Sequence, residues 1–322
     1  MTTLAAGLDI GGTKLGAALV ERSGAVRVRR LTRSPADAGP EAMIAAATEL
    51  MERLTAAGRV TPVALGVATA GVVDVDRGVI RSAGATIRDW AGTQLGSRLA
   101  ANTGLATVVH NDVNAIAVAE IRFGAARGAD SALVVAFGTG VGGALVIGGR
   151  VHRGRTDTAG EFGHLTVDLH AADELGPVCN CGARGHLETL VSGPAIAGQY
   201  ARAAGLPILP SLEDVGMACR RGEQIALHAV GAAGALAGRA LAGLVNAVDP
   251  DVVVLVGGVL GLGRHFVDPV IQALRESALP GPSTVPVRLG ALGPDAGVVG
   301  AAVTAFDHVL GRPQPCGASK EQ

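Results

Sequence analysis

Two short glycine runs, each set between apolar strands, constrain this chain more than any other feature. The first is Asp9-Ile-Gly-Gly-Thr-Lys14 and the second is Gly138-Thr-Gly-Val-Gly-Gly143. Residues 4–10 read as a strand entering the first run, and 15–20 and 25–31 as two more strands joined by a turn at Ser23-Gly24. Residues 131–137 enter the second run and 144–147 leave it. The repeat of strand, glycine turn and strand points to a duplicated unit whose halves each open on a hairpin. Glycines in such a turn let backbone N–H groups approach an anion closely, and Thr13 adds a hydroxyl donor. A carboxylate at Asp9 can hold Mg2+ through water. Each run alone is equally a tight hairpin turn, and the first lacks Walker A spacing. Together they can clamp a triphosphate from two sides. A third strand, 251–256, ends in Gly257-Gly258, where small residues can admit an adenine ring. On its own that pair reads as a strand-to-helix turn.

The rest of the chain supports a globular α/β protein. Of its 322 residues, 48% are hydrophobic and 17% charged, which excludes a disordered chain. Only 2% are aromatic, so the core must be built from Ala, Val, Leu and Ile, and the 48 glycines imply many turns and close backbone approaches. The net charge of −1 comes with no basic stripe, so no nucleic-acid partner is expected. Asp9 and Lys14 interrupt any apolar leader. The apolar stretch 226–248 carries His228, Arg239 and Asn246 and reads as a buried helix, so no membrane association and a cytoplasmic location are expected. Helical periodicity marks 40–58, 113–124, 188–204, 223–248, 264–279 and 295–310. Strands are expected at 63–68 and 106–110.

Two further groups carry chemistry. His110-Asn111-Asp112-Val-Asn114 sits at a strand-to-helix junction. An Asp there can take the proton of a hydroxyl attacking a γ-phosphorus, with Asn111 on a neighbouring hydroxyl. Asn and Asp are equally ordinary helix caps. Gly160-Glu161-Phe-Gly-His164 pairs with Cys179-Asn-Cys181-Gly-Ala-Arg-Gly-His186-Leu-Glu188. Two of the four cysteines lie one residue apart in a chain without a secretory signal, which favours a metal over a disulfide. His164, Cys179, Cys181 and His186 suit a closed, structural Zn2+ site that would pin the segment carrying Glu161 and Glu188. The alternative is two reduced surface cysteines and unrelated histidines.

In order, the motifs Asp-Ile-Gly-Gly-Thr-Lys, Asn-Asp-x-Asn-Ala, Gly-Thr-Gly-x-Gly-Gly, Gly-Glu-Phe-Gly-His and Cys-x-Cys-Gly-x-x-Gly-x-x-Glu span Asp9 to Glu188. The chain thereby resembles the ROK family of repressors and sugar kinases, nearly end to end, and most closely its bacterial glucokinase branch. The resemblance implies an actin-like, hexokinase-like ATPase fold with two α/β domains around a cleft. Residues 1–112, with a last helix near 296–312, would form one domain; 113–295, with the zinc loop, would form the other. It implies ATP-dependent phosphorylation of a hexose, glucose first. The alternatives are N-acetylmannosamine or another hexose, polyphosphate as donor, or a non-catalytic sugar-binding protein.

By the same resemblance Asp112 is the base, and Gly71, Thr86, Asn111, Asp112, Glu161, His164 and Glu188 line the sugar. His164 would also ligate zinc. Gly11, Gly12, Thr13, Lys14, Gly138, Thr139 and Gly140 would face the ATP phosphates with Mg2+ near Asp9, and Gly257 and Gly258 the adenosine. A homodimer or homotetramer is implied. Eight residues precede Asp9, too few for the winged-helix reader of the family's repressors. The chain departs from the family pattern in three places. His186 stands where a third cysteine is usual, the loop from His164 to Cys179 is long, and Thr86 replaces a sugar-binding Asn.

Overall fold

The structure is a computed structural model that describes residues 3–167 and 177–311. Two compact units emerge. One holds the chain up to Phe123 together with the segment from Leu292, and the other runs from Gly124 to Ala291.

The first unit is built on β1 (Leu4–Ile10), β2 (Lys14–Glu21), β3 (Val26–Arg33), α1 (Pro40–Gly58), β4 (Leu65–Thr69), the ribbon β5 (Val72–Asp74) and β6 (Val79–Ser82), α2 (Leu95–Thr103), β7 (Thr107–Asn111) and α3 (Asp112–Phe123). Its sheet runs β3-β2-β1-β4-β7. The first three strands form an antiparallel meander, and β1, β4 and β7 are parallel. Ile10 pairs with Thr69 and Thr69 with Asn111, so the three parallel strands end level with one another. Open α/β sheets bind their ligands at such carboxyl ends.

The second unit repeats this plan. It contains β8 (Ala132–Phe137), β9 (Val141–Ile147), β10 (Arg150–His152), α4 (Glu188–Val191), α5 (Gly193–Ala204), α6 (Leu212–Arg220), α7 (Gln224–Val248), β11 (Val252–Val256), α8 (Arg264–Ser277) and β12 (Val287–Leu289). The order β10-β9-β8-β11-β12 gives each strand the counterpart's place and direction. The duplication read from two glycine turns therefore extends to the whole of both sheets.

Both cores are aliphatic, as the shortage of aromatics requires. α9 (Ala296–Leu310) returns to the first unit and is buried through most of its length. It approaches its neighbours at backbone distance. A Cβ at Gly7 would overlap the Val298 carbonyl, one at Gly66 that of Ala301, and one at Gly300 that of Ala115. The glycines thus set the spacing, and Ala68, Ala115 and Ala301 fill the small space left. For the same reason α3 lies in the first unit, although residues from 113 onward are expected in the second domain. Gly300 rests on it, Glu120 accepts from the Leu292 N–H (3.1 Å), and Arg122 pairs with Asp307 (2.7 Å).

The expected single helix over 188–204 is two. Ser192 breaks it in extended backbone, its hydroxyl accepting from the Ala195 N–H (3.4 Å) while Pro194 occupies the new first turn. α2, α6, β10 and β12 have no counterpart in the sequence reading. Among the described residues only α7 is long and apolar enough to cross a membrane; half of its most apolar window is buried, and it packs on α5, α6 and α8. The C-terminal helix ends at Leu310, and residue 312 lies outside the described residues, as does most of the loop between His164 and Cys179.

Candidate active site

The first glycine run closes the β1–β2 hairpin, where the Gly11 N–H donates to the Lys14 carbonyl (3.1 Å). A side chain at Gly12 is impossible because Thr86 rests there, its Cγ2 2.5 Å from where a Cβ would stand. The segment carrying the exposed Thr86 is held by buried Ile87 and Trp90, and the Trp90 indole donates to Thr69 Oγ1 (3.1 Å) at the end of β4. Thr86, expected at the sugar, is thus brought onto the expected phosphate loop.

Asp9, the penultimate residue of β1, points at the head of α9, where a Cβ on Gly297 would lie 2.8 Å from its Oδ2. Gly297 has no signature in the sequence. Burial lifts the Asp9 carboxyl from 3.8 to about 6, with the Lys14 charge pulling the other way. A carboxyl raised in the fold contributes stability that is complete below its unfolded value and lost as pH rises through its folded value. Above pH 6 the ionised Asp9 therefore costs the ligand-free protein on the order of 2 kcal/mol, allowing for its partial opening to solvent. Asp9→Asn should accordingly melt higher than the parent at pH 8, with the gap shrinking as pH falls from 6 towards 4. A variant less stable at pH 8 would contradict this reading.

β7 delivers Asn111 and Asp112 to the head of α3. Asn111 caps the helix: its Oδ1 accepts from the N–H groups of Val113 (2.9 Å) and Asn114 (3.1 Å). Its amide also donates to the Gly71 carbonyl (3.1 Å), which joins two expected sugar residues. Gly71 has φ +100°, and a Cβ there would lie 2.6 Å from the Ser82 carbonyl, so glycine is required. Asp112 is the first helical residue, with Oδ1 2.9 Å from the Val113 nitrogen. The cap of α3 falls on Asn111, and Asp112 adds a second acceptor for the Val113 N–H. Asn114, one turn on, keeps a buried Oδ1 without a partner.

The second glycine run closes the β8–β9 hairpin. The Gly138 N–H donates to the Gly140 carbonyl (2.9 Å), and the Gly138 carbonyl accepts from the Gly193 N–H (2.8 Å) at the head of α5. Glu188, first residue of α4, accepts from the Val141 N–H through Oε2 (3.0 Å), and this oxygen lies 2.5 Å from where a Cβ on Gly140 would stand. Neither Gly193 nor the Val141 N–H stood out in the sequence, although the Ser-Gly-Pro at 192–194 is a helix-start signal. Gly257 (φ +103°) would overlap the Phe137 carbonyl with a Cβ, so its glycine is explained by the turn after β11; Gly258 opens a short 3-10 turn over Gly258–Leu262.

His164, Cys179, Cys181 and His186 converge, their ligand atoms all within 4.8 Å of one another. The two Nδ1 atoms are 3.2 Å apart, Cys179 Sγ is 3.6 Å from the His164 Nδ1, and Cys181 Sγ is 3.3 Å from that of His186. Tetrahedral zinc with ordinary bond lengths has N···N edges of about 3.3 Å and N···S edges of about 3.6 Å. The donor set and its spacing fit one such ion. Two isolated bridges, Thr166 with His186 and Val178 with Arg184, hold the strands of this cluster. Burial chiefly pushes the Cys179 thiol up, so a metal would have to displace its proton. His164 turns its Nε2 towards Glu161 Oε2 (3.7 Å), while Cys179 Sγ lies 4.0 Å from Glu188 Oε1. Burial also raises the Glu161 carboxyl; the neighbouring His164 opposes this and Glu188 adds to it. Glu161, His164, Glu188, the four donor residues and the second glycine loop therefore form one cluster in the second unit.

Comparison with known proteins supplies relatives. The ROK family profile matches residues 5–308. The chain is 30% identical over 319 residues to a glucokinase of Thermotoga maritima, covering 95% of this chain and 98% of the relative. It is 32% identical over 313 residues to an N-acetylmannosamine kinase of Salmonella typhimurium, covering 96% and 100%. A ROK glucokinase from Streptomyces griseus, solved in complex with glucose and AMPPNP, superposes with a TM-score of 0.84 at 30% identity, covering 94% of this chain and 99% of that one.

Proposed function

The chain belongs to the ROK family, and we propose that it transfers the γ-phosphoryl group of ATP to the 6-hydroxyl of glucose. It is a sugar kinase with the actin-like ATPase fold. One observation carries the catalytic assignment: Asp112 follows β7 directly and opens α3, which puts a carboxylate at the level carboxyl ends of β1, β4 and β7, next to the Asn111 that caps the helix. In this reading Asp112 takes the hydroxyl proton as the oxygen attacks the γ-phosphorus in line. Asn111 and Gly71 orient it. Glu161, His164 and Glu188 accept hydrogen bonds from the other sugar hydroxyls. N–H groups of Gly11–Thr13 and Gly138–Gly140, with Lys14 and Thr139, stabilise charge on the phosphates. Asp9 would hold Mg2+, which when bound neutralises the phosphate oxygens.

The four-donor cluster would hold a structural zinc through His164, Cys179, Cys181 and His186, fixing the segment from Glu161 to Glu188 and leaving no open coordination position. Gly257 and Gly258 are proposed to border the adenosine. A cytoplasmic location and a homodimer or homotetramer complete the proposal.

Glucose is favoured by the glucokinase relatives and by the neighbour that binds it. The second reading, N-acetylmannosamine, rests on Thr86. A threonine offers a single hydroxyl where an Asn offers a paired donor and acceptor, and the shorter side chain leaves room beside the sugar. The test is kcat/KM across glucose, N-acetylmannosamine, N-acetylglucosamine, mannose and fructose with Mg-ATP. Glucose should lead by tenfold or more. A lead by N-acetylmannosamine would replace the substrate and keep the reaction.

A further inference from the structure

Glu188 is tied to the second glycine loop as closely as to the cluster that carries the sugar-facing residues. Its Oε2 accepts the Val141 N–H at 3.0 Å, and the same oxygen occupies the space a side chain at Gly140 would need. Its other oxygen, Oε1, faces Cys179 Sγ at 4.0 Å. The backbone holds it from both directions. His186 lies two residues earlier in the donor cluster, the Leu187 N–H donates to the Leu165 carbonyl (2.9 Å), and the Ser192 N–H donates to the Glu188 carbonyl (3.2 Å) just before Gly193 reaches the Gly138 carbonyl. The loop 138–141 thus hangs between two anchors, the Glu188 carboxylate and the Gly193 N–H.

From this geometry we infer that Glu188 is a positioning residue for the nucleotide: it sets the conformation of the loop that receives the phosphates, in addition to touching sugar. The inference rests on the proposed kinase reading. A carboxylate beside a phosphate loop is electrostatically unfavourable, so its presence there must answer a requirement other than charge. The loop needs an acceptor oxygen at that point; the sugar needs the carboxylate. The two roles are therefore separable by substitution. Glu188→Gln keeps an acceptor for the Val141 N–H and removes the charge, whereas Glu188→Ala removes both.

The experiment measures Mg-ADP binding by calorimetry without sugar, on folded, zinc-loaded protein, together with the KM for glucose. Glu188→Ala should weaken Mg-ADP about tenfold or more, the scale of one hydrogen bond to a charged acceptor. Glu188→Gln should hold Mg-ADP within about twofold while the glucose KM rises by the larger factor. A double-mutant cycle with Gly140→Ala is the second measurement and does not depend on the Ala variant retaining its sugar site. The methyl group displaces the carboxylate in the parent but meets nothing in the Glu188→Ala background, so the two effects should fall well short of additive. Unchanged sugar-free Mg-ADP binding in Glu188→Ala, or strict additivity in the cycle, overturns the inference and leaves Glu188 as a sugar contact only. Failure of both Ala and Gln to alter either ligand would instead remove Glu188 from the proposed site.

Discussion

Asp112→Asn should lower kcat by 10²–10⁴-fold, the usual share of a general base, while glucose and Mg-ATP still bind near their parental affinities. The substitution is nearly isosteric, and the helix cap survives it. Asn111, not Asp112, supplies the cap, and an Asn at 112 retains an oxygen for the Val113 N–H that Asp112 now meets at 2.9 Å. A hydroxyl attacking phosphorus must lose its proton during the reaction, and an amide cannot accept it. Rapid-quench measurement of the phosphoryl-transfer step separates this from a slowed product release. Turnover within a few-fold of the parent would show that another group is the base, or that solvent takes the proton.

The second large effect concerns the four-donor cluster. The purified protein should carry one zinc per chain, and stripping it with a zinc-selective chelator in excess Mg2+ should reduce kcat/KM for sugar by about 10–100-fold, reversibly on adding zinc. The reasoning is local. His164 is one turn from Glu161, and His186 two residues from Glu188, so the same ion would fix both carboxylates; without it, the buried Cys179 thiol, the exposed Cys181 thiol and two imidazoles at contact distance join one another only by weak mutual hydrogen bonds. Cys179→Ser should behave like the stripped protein and resist rescue. Because the thiols must lose protons to bind metal, zinc occupancy should fall on acidification. Full activity with no metal bound would reduce the cluster to a set of packed side chains.

What the sequence made legible was what short-range chemistry writes down. The glycine turns could be found because a hairpin between apolar strands leaves a local signature, and both turns fall where a hairpin requires them, at Gly11–Thr13 and Gly138–Gly140. His164, Cys179, Cys181 and His186 could be named from residue type and the Cys-x-Cys spacing, and the structure brings the four together. Other features depended on chain segments far apart in sequence. Nothing near Gly12 says that Thr86 will cover it, nothing near Asp9 points to Gly297, and the bond from Val141 to Glu188 spans 47 positions. Likewise Gly7, Gly66 and Gly300 lie inside expected strands and an expected helix, and nothing local says that each marks backbone-to-backbone contact with a helix. Two elements do have local signatures. Ser192-Gly193-Pro194 is a helix start inside what looked like one helix, and Ser211 with Asp214 forms the capping box of α6. The three-residue strands β10 and β12 carry too little periodicity to be recognised; pairing with β9 and β11 creates them.

The central claim is that this protein moves a phosphoryl group from ATP to a hexose. Phosphorus-31 NMR of zinc-loaded protein with Mg-ATP and glucose tests it most directly, because it observes donor, product and any free phosphate together. The expected result is loss of ATP matched one-for-one by ADP and hexose 6-phosphate, with no consumption of ATP when sugar is omitted. ATP hydrolysed to ADP and inorganic phosphate without a sugar phosphate, or no reaction with any hexose of the panel, would contradict the claim.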